Sequence, residues 1–169
     1  MKEEMQITTF MIRTAVIAAG YAAVTILIAP IAYGPIQFRI SDVLMPIPYI
    51  PYFGLSGVIG ITIGTLIANV ISPYGFWDIV LGTLANLISG IGSYYARRIP
   101  NKLIGRIIAV LIPVFVVTFL IGYILLTIIV GLPLLISVGG VFVGELVTAG
   151  IGGYILISRL EKVLQESVE

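Results

Sequence analysis

The chain has 169 residues, 59% of them hydrophobic and only 10% charged, with a formal net charge of +1 and a mean hydropathy of +1.16. A soluble domain carries about 45–50% apolar and about 25% charged residues, so this composition is that of an integral membrane protein. The near-neutral charge excludes a basic surface for nucleic acid, and the lack of cysteine and histidine removes disulfides, thiolate metal sites, a cysteine nucleophile and the commonest proton shuttle.

A spanning helix takes about 20 mostly apolar residues. Cutting the apolar runs at polar, Pro and Gly positions predicts six spans, at about 8–32, 40–53, 55–72, 78–96, 104–129 and 134–158. The expected architecture is an all-α membrane protein, a six-transmembrane-helix bundle forming one integral membrane domain over residues 1–169. The opening "MKEEMQITTFMIR" is as acidic as it is basic, and the apolar run after it exceeds a signal-peptide core, so the first span reads as a retained helix. Ala15, Ala19 and Ala23 recur on it every four residues, flanked by Ala18 and Ala22. That stripe is smooth enough for close helix approach, either inside the bundle or by an external helical partner. The second span is short and broken by Pro46, Pro48 and Pro51. Irregular backbone is tolerated at membrane depth only where it is packed in protein or lines a cavity, which places a polar cavity beside it. Gly60 with Gly64, and Gly140 with Gly144, repeat the small-residue spacing and read as ordinary packing within the bundle.

Lys2 and Arg13 precede the first span, Arg97, Arg98, Lys102 and Arg106 lie between the fourth and fifth, and Arg159 and Lys162 follow the sixth. With both termini cytoplasmic, all of these fall inside, as the positive-inside bias asks. Arg39 is the exception. Glu3, Glu4, Glu161, Glu166 and Glu169 belong to the tails, leaving Asp42, Asp78 and Glu145 at or within spans and in the outer half. Facing lipid at mid-span, each charge would cost roughly 2.5–3.5 kcal/mol. Four of them at one depth are better explained as lining one outward-facing pocket.

Each candidate also has a structural reading. Ser41 can cap the second helix with Asp42 in its first turn, Arg39 then pairing with Asp42 or with lipid phosphate, and Asp78 can cap the fourth helix. Asn69 and Asn86 can join helices by hydrogen bonds. Tyr33, Tyr74 and Trp77 fit an outer aromatic belt, although a planar ligand can stack on any of them. Glu145, within "VGGVFVGELVTAGIGG" and far from a helix end, has no capping role and is the strongest functional candidate.

The runs "YGPIQFRISDVLMPIPY", "ANVISPYGFWDIVLGTLAN" and "GELVTAGIGGY" resemble the QueT-type substrate-binding subunits (S components) of energy-coupling-factor (ECF) transporters, assigned to queuosine precursors, over nearly the whole chain. The resemblance implies the six-helix S-component fold and an outward-facing site covered by the loop after the first helix. The implied location is the prokaryotic plasma membrane. It further implies partners: a transmembrane T component, docked through the Ala15, Ala19 and Ala23 stripe, and two cytoplasmic ATPases. The chain itself, without a Walker motif, a Rossmann glycine fingerprint or a nucleophile elbow, is expected to hold no cofactor and to be no enzyme, with ATP hydrolysed by its partners. The candidate ligand contacts are Glu145, Arg39, Asp42, Gln37, Asn69, Asp78, Asn86, Trp77 and Tyr33.

A 7-deazaguanine presents adjacent N–H and amine donors that a carboxylate accepts together, and a carbonyl to which an arginine or amide donates. Glu145, Asp42 and Arg39 supply those complements, and three carboxylates against one arginine favour a cationic or donor-rich ligand. Related S components carry different vitamins on one fold, so another vitamin or nucleobase-like micronutrient is the alternative. A stand-alone channel or secondary carrier relaying protons or cations through Asp42, Asp78 and Glu145 would need a continuous polar path, and the cytoplasmic halves of the spans hold few ionisable groups. An intramembrane enzyme ranks last, for want of His, Cys or carboxylates clustered on neighbouring turns.

Overall fold

The structure is a computed structural model that describes residues 2–34 and 37–166, with side chains from Glu4 onward at the amino end. Glu169 and the side chains of Lys2 and Glu3, which the sequence assigns to the tails, lie outside the described residues. Pro35 and Ile36 of the "YGPIQFRISDV" run lie outside them too.

Helix α1 (Lys2–Leu27) ends where Pro30 approaches, and a short α2 (Ala29–Ala32) carries that proline in its first turn, where its missing N–H costs nothing. Helix α3 (Gly54–Asn69) packs on α1, α4 (Phe76–Ala96) on α3, and α5 (Lys102–Val117) on α4. The Asn101 side chain caps α5, accepting from the backbone N–H groups of Leu103 at 3.0 Å and Ile104 at 3.1 Å. Past Val117 the helix continues in π form through Thr118–Ile129. The last long rod is built from α6 (Leu134–Glu145), π turns over Leu146–Gly152, and α7 (Gly153–Glu166). Among the described residues there is no strand.

Pro113, inside α5, cannot donate to the Ala109 carbonyl four residues back. The freed carbonyl accepts instead from the Ser93 hydroxyl of α4 at 2.7 Å. One backbone vacancy in a buried helix is thereby filled by the neighbouring helix, as an environment without water requires.

Among the described residues, four helices are long and apolar enough to cross a membrane: Glu4–Leu27, Phe76–Ala96, Lys102–Ile129 and Leu134–Glu166. Large apolar side chains point outward, Leu135 at 85% and Leu27 at 81% exposure, while charged groups are withdrawn inside. A water-soluble fold does the reverse, and this chain is a multi-pass membrane protein. The remaining two expected spans differ from the other four. Helix α3 has only 16 residues, about 24 Å at 1.5 Å per residue. The stretch expected as a proline-broken second helix is not α-helical. It folds as two short 3₁₀ turns, Ile40–Leu44 and Ile47–Tyr49. Prolines at three alternate or near-alternate positions leave too few N–H groups for an i to i−4 ladder, and i to i−3 bonds replace it: Met45 to Asp42, Tyr49 to Pro46 and Ile50 to Ile47, each at 3.0 Å.

This irregular segment is almost wholly buried, threaded between α1, α3, α4 and the last rod. Glycines admit it. A Cβ on Gly153 would lie 2.7 Å from the Pro46 ring, and one on Gly152 2.9 Å from the Val43 side chain. On the other side of the bundle, Gly60 and Gly64 let α3 close on Ile17, Ala18 and Tyr21 of α1.

Candidate ligand-binding site

The carboxyl ends of α1 and α3 and the amino end of α4 meet at one end of the bundle, because the 3₁₀ segment returns the chain so that α3 runs parallel to α1, and α4 then runs antiparallel to α3. Tyr33 and Arg39 lie at that end, and Glu145, the last residue of α6, reaches it from the far rod beside Asp42. The polar residues of these elements are gathered there and closed off from solvent: Arg39 is 4% exposed, Asp42 1%, Asp78 0% and Glu145 1%.

Arg39 donates through Nη2 to both carboxylate oxygens of Asp78, at 3.4 and 3.2 Å, and through Nε to the Ala32 carbonyl at 3.3 Å. Its guanidinium also lies 4.9 Å from the centre of the Tyr33 ring. Asp78 is therefore neither a cap nor free: Gly75 occupies the cap position of α4, and the Asp78 carboxylate accepts from Arg39 and from the Ser72 hydroxyl. Asn69 fixes the same turn, its amide donating to the Asp78 carbonyl at 2.9 Å. Gly82 makes the room, since a Cβ there would run into the Asn69 amide.

Asp42 has a different partner, the hydroxyl of Tyr21, a residue of α1 with no exposed surface. Ser41 caps nothing. It accepts from Thr25 at 2.7 Å, tying the 3₁₀ turn to α1. Asn86 donates to the Thr65 hydroxyl, linking α4 to α3. Tyr33 donates to the Ala68 carbonyl at 2.7 Å. Gln37 sits at φ 49° in the left-handed region, an uncommon conformation for a side-chain-bearing residue. Loss of solvent holds the Tyr33 and Tyr74 phenols above their ordinary range, so both remain neutral donors.

Glu145 lies against Asp42, with Arg39 in electrostatic range. Its Oε2 is buried and has no hydrogen-bond partner among the described residues, while the buried Gln37 side chain faces the Tyr74 hydroxyl. An unpartnered buried polar atom costs about 1–3 kcal/mol, so the Glu145 oxygen is chemically poised for a hydrogen-bonding guest. Among the described residues no group of three His, Cys, Asp or Glu side chains has the geometry to hold a metal ion.

Of the residues singled out from the sequence, Arg39, Asp42, Asp78, Glu145, Gln37, Asn69, Asn86 and Tyr33 fall in this buried region. Trp77 does not: it is 51% exposed and stacks edge-on against Phe76 on the outer surface. Tyr21, Thr25, Thr65 and Ser72 belong to the region and were not anticipated. Ala15, Ala19 and Ala23 all lie on the exposed face of α1, while Ala18 and Ala22 are buried.

A lipid-facing helical bundle that withdraws Arg39, Asp42, Asp78 and Glu145 into one buried polar cluster is the build of a membrane transport protein. The family model described as QueT transporter matches residues 11–162, and the chain belongs to that family. The queuosine precursor transporter QueT of Lactococcus lactis subsp. cremoris (strain MG1363) is 36% identical over 76 residues, which is 44% of this chain and 43% of that relative, under half the length of either. No solved structure matches the chain.

Proposed function

We propose that this chain is the substrate-binding subunit of an ATP-driven ECF uptake transporter in a prokaryotic plasma membrane, and that its ligand is a queuosine precursor of the 7-deazaguanine class. The observation that carries the reading is Glu145: a carboxylate 1% exposed, beside a second carboxylate, with one oxygen unpartnered. A carboxylate in that state accepts the paired N–H and amine donors of a guanine-like edge, and Gln37 and Asn86 offer amides to the rest of the heterocycle. Arg39 is already shared with Asp78, so the acidic groups left facing a guest are Asp42 and Glu145, two side by side whose mutual repulsion a cation would offset. This favours the cationic 7-aminomethyl form over the neutral 7-cyano form. The name borne by the Lactococcus relative supports the substrate class.

In this reading the six expected spans form the S-component bundle with both termini cytoplasmic, the Pro-rich 3₁₀ segment taking the place of the second helix. The ligand enters when the connection bearing Gln37 and Arg39 lifts from α4. The exposed Ala15, Ala19 and Ala23 face of α1 seats a transmembrane T component, which couples the subunit to two cytoplasmic ATPases. Asn69 and Asp78 hold the chamber wall, Tyr33 stacks at its mouth, and Trp77 stays at the outer rim.

Equilibrium binding of a panel to the purified protein tests the assignment. Saturable binding of a 7-deazaguanine, not displaced by thiamine or riboflavin, is the expected result. Binding of a vitamin outside that class in its place would reassign the ligand.

A further inference from the structure

At the end of the bundle opposite the polar chamber, a cavity of about 320 Å³ opens between the turn after the 3₁₀ segment, the α4–α5 link and α7, lined by Tyr49, Tyr52, Arg97, Lys102, Glu161 and Gln165 among others. Its one carboxylate is already neutralised: Glu161 accepts from Arg106 at 2.7 Å. Arg97 rests on the Tyr94 ring, 3.8 Å from its centre, and among the described residues no carboxylate pairs with Arg97 or Lys102. Two helices also begin beside the cavity, α3 at Gly54 and α5 at Lys102, and neither has an acidic residue in its first turn. The cavity therefore carries uncompensated positive charge from two side chains and two helix dipoles.

A second cavity, of about 290 Å³ and almost purely apolar, runs between α5 and the last rod and includes Ile107, Leu111, Ile151 and Ile155 in its lining. It lies on the same seam as the first. Ile107 is five residues along α5 from Lys102, and Ile155 six residues along α7 from Glu161, roughly 8–9 Å at 1.5 Å per residue. The Arg106–Glu161 pair bridges the two helices between the cavities.

The geometry points to a site for one anionic phospholipid on this seam, its phosphate between Arg97 and Lys102 and an acyl chain in the apolar groove of Ile107, Leu111, Ile151 and Ile155. The charge complement selects an anionic head group over a zwitterionic one, because a second positive group on the lipid would face the same two cations. The neighbouring apolar groove selects a lipid over a free phosphate, since an acyl chain that passes the Arg106–Glu161 pair contributes burial that a soluble anion lacks. The proposal is independent of the ligand in the polar chamber.

Native mass spectrometry of the whole protein released from detergent, with palmitoyl-oleoyl phosphatidylglycerol or phosphatidylcholine added, reads the site directly. The expected result is one phosphatidylglycerol retained in preference to phosphatidylcholine. Each cation near an anionic head group contributes about fivefold, so the preference should fall by about twenty-five-fold in Arg97→Gln/Lys102→Gln. Lys102→Gln alone, at an exposed position, should lose about fivefold and serves if the double variant does not fold. Ile151→Trp, which fills the groove from an exposed position, should weaken retention with the cations intact. Equal retention of the two lipids, or undiminished preference in the charge variants, would overturn the site. Undiminished retention in Ile151→Trp, or full competition by sn-glycerol 3-phosphate, would overturn the lipid as its occupant.

Discussion

Arg39 and Asp78, thirty-nine positions apart, form a buried ion pair, Nη2 to Oδ2 3.2 Å, with side-chain exposures of 5% and 0%. The pair ties Arg39, at the start of the first 3₁₀ turn, to the first turn of α4, so it sets how firmly the two are held together. Removing one partner leaves a bare charge in a dry site, and such deletions cost about 3–5 kcal/mol. Asp78→Asn or Arg39→Gln should each lower the thermal unfolding midpoint in detergent substantially, whereas the double variant Arg39→Gln/Asp78→Asn should recover much of the loss. Additive losses in that cycle would mean that the two side chains do not act as a pair.

The Ser93–Ala109 bond gives a test of how the bundle tolerates Pro113. Ser93→Ala leaves a buried carbonyl without a donor, at a cost of about 1 kcal/mol, the scale of interhelical hydrogen bonds in membranes. In a Pro113→Ala background the backbone N–H of residue 113 can serve that carbonyl, so the same Ser93→Ala change should cost less. Thermal unfolding of the four proteins in one detergent measures the difference. An undiminished cost in the Pro113→Ala background would detach Ser93 from the proline.

Much of the chamber was legible in the sequence because lipid penalises charge. Arg39, Asp42, Asp78 and Glu145 stood out against an apolar background, and the packing brings all four to one end of the bundle. Their pairing was not legible. The structural alternative to ligand contact for Arg39 was a pair with Asp42 or a lipid phosphate, but the 3₁₀ turn aims Asp42 at Tyr21 and the packing of α3 and α4 brings Asp78 to Arg39. Tyr21 itself was hidden because a tyrosine inside an apolar run reads as core. The available signal was its place on the face of α1 opposite Ala19 and Ala23, toward the rest of the bundle. The proline-broken backbone at 40–53 was anticipated, yet its 3₁₀ form depends on neighbouring glycines, Gly152 and Gly153, more than a hundred residues away. The π turns after Val117 and Glu145 left no pattern in the sequence that hydrophobic periodicity detects.

The exposed alanine face of α1 leads to a separable phenotype. Ala19→Trp or Ala23→Trp points a bulky ring outward from a smooth helix face without entering the chamber, so the isolated protein should bind ligand with unchanged affinity while uptake by the assembled transporter fails. Uptake at the normal rate in cells carrying either variant would return the stripe to lipid contact.

The chain alone should not concentrate its ligand. Reconstituted by itself in liposomes, it is expected to bind 7-aminomethyl-7-deazaguanine without accumulating it under a proton or sodium gradient, because the proposed function assigns the coupling to separate ATPase subunits. Gradient-driven accumulation would instead favour a secondary carrier working through the neighbouring carboxylates of Asp42 and Glu145.

The unpartnered oxygen of Glu145 is the centre of the functional reading, and calorimetric titration of wild type and Glu145→Gln with 7-aminomethyl-7-deazaguanine addresses it most directly. The substitution keeps the volume but replaces one acceptor by a donor, setting donor against donor at the guanine-like edge. Loss of a charge-assisted bond and an unmatched buried donor together weaken binding by roughly a hundredfold or more. Saturable binding to the wild type and that loss in a variant of unchanged helicity is the expected result; equal affinities for the two proteins would remove Glu145 from the site and contradict the reading.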